Sequence, residues 1–410
     1  MTDKSLLLVV PVLPWPARAN GISIRYYPLL ERLAGRCKCD LLVTASPDAD
    51  PSRDGAPLSV RRVVVLPARA DHHSIGERIR VAVDALKPTG VPYEYAEYGT
   101  GAIDAAVTLL AAEARYDVVH CVGHTNRVAV GRVRERLRGA RLTYDCIDSP
   151  YLHYLRSRHP NVFARKSSLF RRFDLWKTRR WERALLQDVD ASAYISSADA
   201  TAAGPNAVSH VIANGIYEAA AHAPIQRNDS RPPTIGFLGN MAYRPNVIGA
   251  LSLHADVFLP LKAHIPDLRL KIIGRDPVPE IVALASSDVE VTGTVDDIWP
   301  HIDSVDVFIF PMTTGAGLQN KILEVMHAGK PVITTPVCQA SVGAARGMEI
   351  AVSATPAEMV VQAMALLGDP VAAEGLGRRG QAYVDDRFSL ATTLGAFERM
   401  LFPQGSLPSA

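Results

Sequence analysis

VDVFIFPMTTGAGLQNKILEVMHAGKPVIT, residues Val305–Thr334, is the stretch whose reading decides the fold. Its opening, Val305–Phe310, is rich in β-branched and aromatic residues and reads as a buried strand. Pro311 stops the strand, Gly315 and Gly317 turn the chain, and Leu318–Ala328 has the apolar spacing of a helix. Gly329-Lys330-Pro331 closes that helix onto another apolar run, Pro331–Thr334. Strand, glycine turn, helix and strand make a βαβ unit, and strands that are apolar throughout belong to a parallel sheet covered on both faces.

The turn also suggests chemistry. Glycines at 315 and 317 let the backbone approach a ligand closely, while a helix start offers unpaired N–H groups and a partial positive charge, which together suit a diphosphate. Asn320, Lys321 and Glu324 fall on one side of the helix. A lysine in a first turn opposes the helix dipole and so points to an anionic partner. Glu324, one turn further, is placed to accept both hydroxyls of a ribose. The alternative is a surface ion pair between Lys321 and Glu324.

Outward from this unit the same rhythm recurs. Thr234–Leu238, Leu268–Ile273 and Val289–Thr292 read as strands before it. In the N-terminal half Leu6–Val12, Cys39–Thr44, Val60–Leu66, Asp117–Cys121, Arg141–Cys146 and Ala193–Ser196 read likewise, with helices such as Arg25–Ala34 and Gly101–Ala114 between them. Between Ala202 and Pro233 the chain becomes rich in Ala, Asn, Pro and Ser, with Asn214-Gly215 as a turn. The expectation is an α/β protein with two doubly wound Rossmann-like domains facing across a cleft. Residues 1–210 form the N-terminal domain, 211–233 a linker, 234–385 the ligand-binding domain, and 386–410 a helix and tail crossing back to the first domain. Ligands of such sheets sit at the carboxyl ends of the strands.

Bulk properties agree with a soluble enzyme. A chain of 410 residues exceeds one ordinary core, and 48% apolar with 21% charged residues and a net charge of +2 does not imply nucleic acid. No apolar run approaches the ~20 residues of a membrane span, and the opening lacks the pattern of a signal peptide, so a cytoplasmic location is expected. The five cysteines are scattered and read as free thiols, with no zinc-type spacing and no metal site.

The segment Phe310–Met326, then Gly329-Lys330-Pro331-Val332-Ile333, resembles the donor-site signature of the family 4 glycosyltransferases, which are retaining enzymes of the GT-B fold. Asn214-Gly215-Ile216 is similar to their interdomain segment, and Gly236-Phe237-Leu238-Gly239-Asn240-Met241 to the first donor-domain strand with its phosphate loop. Ile272-Ile273-Gly274-Arg275 and Val291–Asp297 resemble the next two landmarks, in the family's order. Asn240–Asn246 with Gln319-Asn320-Lys321 looks closest to a bacterial branch associated with exopolysaccharide and protein-sorting gene systems.

The resemblance implies transfer of a hexosyl group from a UDP- or GDP-linked sugar to an acceptor hydroxyl, with no cofactor and no metal. It assigns donor contacts to Gly21, Asn240, Gly274, Arg275, Val295, Gly315, Gly317, Leu318, Gln319, Asn320 and Glu324. Catalytic roles fall to Arg244 and Lys321, which share the phosphate charge, and to His124, preferred over His120 because it lies beyond the strand in the loop. Two departures stand out. Many members carry a Glu where this chain has Ala316, and many carry an Arg where it has Asn240. Alternatives are a nucleotide-sugar epimerase of the same fold and a nucleotide-sugar-binding protein without catalysis. The acceptor is a saccharide, a lipid-linked sugar or a small-molecule glycoside.

Other motifs read as structural. Gly375–Gly380 spells GxGxxG but follows a helix rather than a strand. Asp48-Ala49-Asp50 sits in a turn, and Asp297 caps the helix before Trp299. Arg156–Arg183 holds ten Lys or Arg against Asp174 and Glu182, interleaved with aromatics. It reads either as a solvated face or as a peripheral contact with the inner face of a membrane.

Overall fold

The computed structural model describes residues 4–17, 20–44, 55–66, 76, 79, 83, 86–88, 90–92, 101–123, 127–156, 168–204, 209–216, 231–313 and 318–403. The chain divides into two compact units: residues up to Gly215 together with the chain from Thr393 onward, and Ile216–Thr392.

The first unit is built on seven parallel strands: β1 (Lys4–Val10), β2 (Cys37–Val43), β3 (Val60–Val65), β4 (Val118–Val122), β5 (Arg141–Ile147), β6 (Ala191–Tyr194) and β7 (Ser209–Val211). Their order is β3-β2-β1-β4-β5-β6-β7, so the direction of winding reverses beside β1, where Leu6 faces Cys39 on one side and Val118 on the other. Leu6–Val10 are all fully buried, as an unbroken apolar strand between two helical layers requires. The helices are α1 (Gly21–Arg32), α2 (Gly101–Glu113), α3 (Arg127–Arg136), α4 (Pro150–Arg156), α5 (Ser168–Gln187) and α6 (Ser197–Ala203). Ile103, Val107 and Leu110 of α2 and Val130 and Val133 of α3 pack on Leu7, Val9, Val119 and Cys121. Helix α1 begins four residues before the predicted Arg25, because Asn20 and Ser23 form a capping box.

The second unit repeats the plan with β8 (Thr234–Leu238), β9 (Arg269–Ile273), β10 (Val289–Val291), β11 (Val307–Phe310), β12 (Val332–Thr334) and β13 (Ala351–Val352). The order β10-β9-β8-β11-β12-β13 is again parallel and reverses between β8 and β11. Its helices are α7 (Arg244–Ser252), continued by a π-helical turn over Leu253–Phe258 into α8 (Leu259–His264), then α9 (Pro279–Val282), α10 (Trp299–Asp303), α11 (Asn320–His327), α12 (Pro336–Val342), α13 (Pro356–Gly368) and α14 (Pro370–Phe388).

Helix α11 starts at Asn320, two residues later than the sequence suggested, because Gln319 is non-helical at φ −86°, ψ 77°. The GxGxxG run lies inside α14, where its glycines serve packing. A Cβ on Gly377 would stand 2.0 Å from the carbonyl oxygen of Gly329, and one on Gly380 2.8 Å from that of Glu349.

The last helix, α15 (Leu390–Leu401), crosses the boundary at Thr393. Buried Phe397, Met400 and Leu401, and Glu398 bridging Arg32 at 3.0 Å and Arg36 at 2.7 Å, account for its membership of the first unit. No single helix among the described residues is long and apolar enough to cross a membrane.

Candidate functional site

In a parallel sheet all carboxyl ends share one edge, so the loops after β8, β9 and β11 gather on one side of the second unit. They are stitched together by the backbone. Gly239 N–H donates to Ile273 O at 3.0 Å and Met241 N–H to Arg275 O at 2.9 Å. Gly274 has φ +149° and packs so closely that a Cβ would lie 1.7 Å from Gly239 O, which explains the glycine. Asn240 closes its own turn by accepting from Ala242 N–H at 2.9 Å. Across the reversal point, Thr335 Oγ1 donates to Met312 O at 2.6 Å, fixing the chain that leaves β11.

Helix α11 enters this edge with no cap hydrogen bond from the side chain of its N-cap residue, Gln319. Lys321, in its first turn, donates to Asn246 Oδ1 at 2.8 Å and to Gln319 Oε1 at 2.9 Å. Both acceptors are neutral amides. An ammonium has three donors, and the third has no hydrogen-bond partner among the described residues. Burial lowers the Lys321 pKa to about 8, against the opposing influence of Cys338 and Glu324. The neighbouring Asn320 Oδ1 is buried and makes no hydrogen bond among the described residues. A buried cation and an acceptor unused among the described residues, both at a helix start, are fit to receive an anionic, hydroxyl-bearing ligand.

Residues 232–369, which contain this whole edge, match the family described as Glycosyl transferases group 1. No curated protein sequence matches the chain. Solved structures match it over nearly its full length. Anabaena HepE in complex with UDP and glucose is 16% identical, with 96% of this chain and 98% of that one covered and a TM-score of 0.59. Sucrose-phosphate synthase from Thermosynechococcus elongatus is 17% identical over 98% and 100%, with a TM-score of 0.67. WaaG, a glycosyltransferase involved in lipopolysaccharide biosynthesis, is 14% identical over 97% and 100%, at 0.63. At such identities the likeness establishes the fold, which is GT-B.

In the second unit the remaining sequence-derived candidates are spread around the same edge. Arg244 opens α7, exposed and 3.6 Å from Glu280. Arg275 follows β9, with Nε 3.7 Å from Asp276. Val295 is half-buried in the loop between β10 and α10, and Leu318 is half-buried just before α11. Gln319 is buried and engaged with Lys321. Glu324 is half-buried one turn beyond Lys321. Gly315, Ala316 and Gly317 lie outside the described residues, as do His124 and Asp48–Asp50. Asp297 accepts from Trp299 N–H at 3.1 Å at the start of α10.

Gly21 belongs to the first unit, where it opens α1 with nothing within 4 Å of a notional Cβ. His120, the histidine within β4, is fully committed there. Its Nδ1 meets Thr143 Oγ1 at 2.7 Å and its Nε2 meets the Tyr26 hydroxyl at 2.8 Å. Tyr26 donates onward to Asp145 at 2.6 Å, and Asp145 also holds the buried guanidinium of Arg25, which donates to Asn214 at 3.2 Å. Burial pushes the His120 pKa down to about 4. The sequence did not reveal this buried network, because its members are scattered over α1, β4, β5 and the end of the unit.

Proposed function

We propose that the protein transfers a glycosyl group from a UDP- or GDP-linked sugar to an acceptor hydroxyl with retention of configuration, as a family 4 enzyme. The observation that carries this reading is the Lys321 ammonium, with one N–H unpartnered among the described residues, at the start of α11, inside the segment that matches the family Glycosyl transferases group 1. Likeness to HepE, whose structures hold UDP, glucose and UDP-glucose, supports a uridine diphosphate donor.

The reaction breaks the bond between the anomeric carbon and the diphosphate oxygen and forms one to the acceptor oxygen on the same face. The acceptor proton passes to the leaving phosphate oxygen, so no side-chain nucleophile is needed. Negative charge grows on the diphosphate as the bond breaks, and Lys321, Arg244 and the first-turn N–H groups of α11 are placed to stabilise it. Asn320 and Glu324 take the ribose hydroxyls. The donor is a substrate and no cofactor is required. Activity is expected to persist in chelator.

Calorimetry of the full chain with UDP, GDP and their sugars tests the site, and labelled donor tests the reaction. Label on an acceptor supports transfer, label epimerised on the nucleotide indicates an epimerase, and binding without turnover in any acceptor screen indicates a binding protein.

Helix α5 turns its acids Asp174 and Glu182 fully inward and leaves Leu169, Arg172, Trp176, Arg179, Arg180 and Arg183 exposed on one face. Cations with Leu169 76% and Trp176 49% exposed fit an anionic bilayer surface, which supports peripheral attachment at the inner membrane face. Cosedimentation with phosphatidylglycerol vesicles and not with phosphatidylcholine vesicles is the expected result. Equal or absent binding to both overturns it.

A further inference from the structure

Asn246 carries no role in the reading of the sequence, yet it stands between the two parts of the site that must act together. It lies in the first turn of α7 and is only 5% exposed. Its Oδ1 accepts from Lys321 Nζ at 2.8 Å, and its Nδ2 donates to the carbonyl oxygen of Asn240 at 2.9 Å. Lysine can only donate and a carbonyl can only accept, so these partners admit one orientation of the amide. The side chain also lies flat on the loop after β8, since a Cβ on Gly239 would come within 2.8 Å of Nδ2. One short side chain thus ties β8's loop to α11 across 75 residues of sequence.

We infer that Asn246 is a positioning residue: it aims the Lys321 ammonium and locks it to the Gly239–Asn240 loop, so that cation and loop meet the donor diphosphate as one rigid unit. The inference deepens the nucleotide-sugar reading and rests on it for the identity of the anion. The chemistry favours asparagine over the alternatives. Aspartate would supply an acceptor to Lys321 but would set an oxygen against Asn240 O and a negative charge beside the phosphate. Alanine would leave both the ammonium and the carbonyl short of a partner. Glutamine is a methylene longer and cannot lie between Gly239 and Lys321 without displacing one of them.

Few charges compete for control of Lys321. Glu324 on α11 and Cys338 on α12 both favour its protonated form. On α7 the charged neighbour of Asn246 is Arg244, which is exposed and directed at Glu280 of α9. Helix α14 presents Asp385 to His327 at the far end of α11, at 2.6 Å.

The test uses the full chain as wild type, Asn246→Asp and Asn246→Ala. Trace acetylation with acetic anhydride, quantified by mass spectrometry on the peptide containing Lys321, follows deprotonation of this amine against pH without any ligand. A carboxylate in place of the amide should raise the midpoint by about one pH unit or more. Loss of the acceptor in Asn246→Ala should lower it. UDP and GDP titrations over the same pH range should show affinity falling about tenfold at neutral pH in both variants. The midpoint of the remaining affinity should move with the acetylation midpoint. Identical acetylation profiles in three folded proteins overturn the inference, because a packing role alone would lower melting temperature without moving a proton. Shifted profiles in a protein that binds neither nucleotide leave Asn246's hold on Lys321 standing and sink the donor assignment instead.

Discussion

Gly274 and Gly239 are in backbone contact: a methyl group on the Cα of Gly274 would sit 1.7 Å from the carbonyl oxygen of Gly239. The loop that carries this oxygen is held on both sides, by Gly239 N–H bonded to Ile273 O at 3.0 Å and Met241 N–H to Arg275 O at 2.9 Å, which limits how far it can move away. Gly274→Ala therefore meets both a clash and an unfavourable φ, each costing about 1–3 kcal/mol. The expected result is a melting temperature lower by roughly 4–12 °C, with loss of donor binding. Gly21→Ala is the matched contrast, since open space surrounds Gly21. It should melt like wild type and weaken donor binding only if Gly21 touches the donor. A thermally normal Gly274→Ala would show that the two loops are not held together.

Glu324 is expected to accept hydrogen bonds from the donor ribose. Losing a bond to a charged acceptor costs about 1.5–3 kcal/mol. Glu324→Gln should weaken donor affinity by about tenfold and Glu324→Ala by more, both with near-normal melting temperatures. Because Glu324 also favours the charged form of Lys321, the Gln variant should release the Lys321 proton at lower pH than wild type. Unchanged affinity in both variants would reduce Glu324 to a partner in a helix-surface ion pair.

The parts of the fold that were legible are those whose residues carry their own reason. Leu6–Val10 and Val307–Phe310 are apolar without interruption, and only a covered parallel strand explains that pattern. Ser209–Val211 and Ala351–Val352 were not legible as strands. They are short and hold their place by pairing with β6 and β12 at the sheet edges rather than by composition. The site divides in the same way. Lys321 and Asn320 stand out from helix position alone, whereas Asn246 acquires its meaning from a contact 75 residues away. His120 illustrates the opposite case: a histidine of chemical interest by type is consumed by Tyr26 and Thr143.

The second unit should bind nucleotide by itself. Its limits follow from pairing, since Ile216 N–H donates to Phe388 O at 2.8 Å and so closes the chain ends of the unit. A fragment of residues 216–392 is expected to bind UDP or GDP within about tenfold of the full chain, because the stitched loops and α11 all lie within it. A folded fragment without affinity, beside a full chain that binds, would move the main nucleotide contacts to the first unit.

Two buried groups of the first unit should make its stability depend on pH in opposite senses. His120 has its pKa lowered to about 4 by burial. Its unfolded value is about 6.5, so the unfolded chain binds more protons between those values, and stability rises with pH across about 4 to 6.5. Glu182, buried where it accepts from Ser149 Oγ at 2.9 Å and the Tyr194 hydroxyl at 3.1 Å, has its pKa raised to about 7. From an unfolded value near 4.3, the folded chain binds the extra proton, and stability falls across about 4.3 to 7. Each shift corresponds to about 3.5 kcal/mol at most, so the two slopes nearly cancel in the wild type between about pH 4.5 and 6.5. Single substitutions remove one slope and expose the other. Glu182→Gln should become more stable from pH 4 to 6.5, and His120→Gln should become less stable from pH 4.5 to 7. Urea unfolding at half-unit steps of pH measures both, and a pair of variants with parallel pH profiles would show that neither group is held in the protonation state that its burial demands.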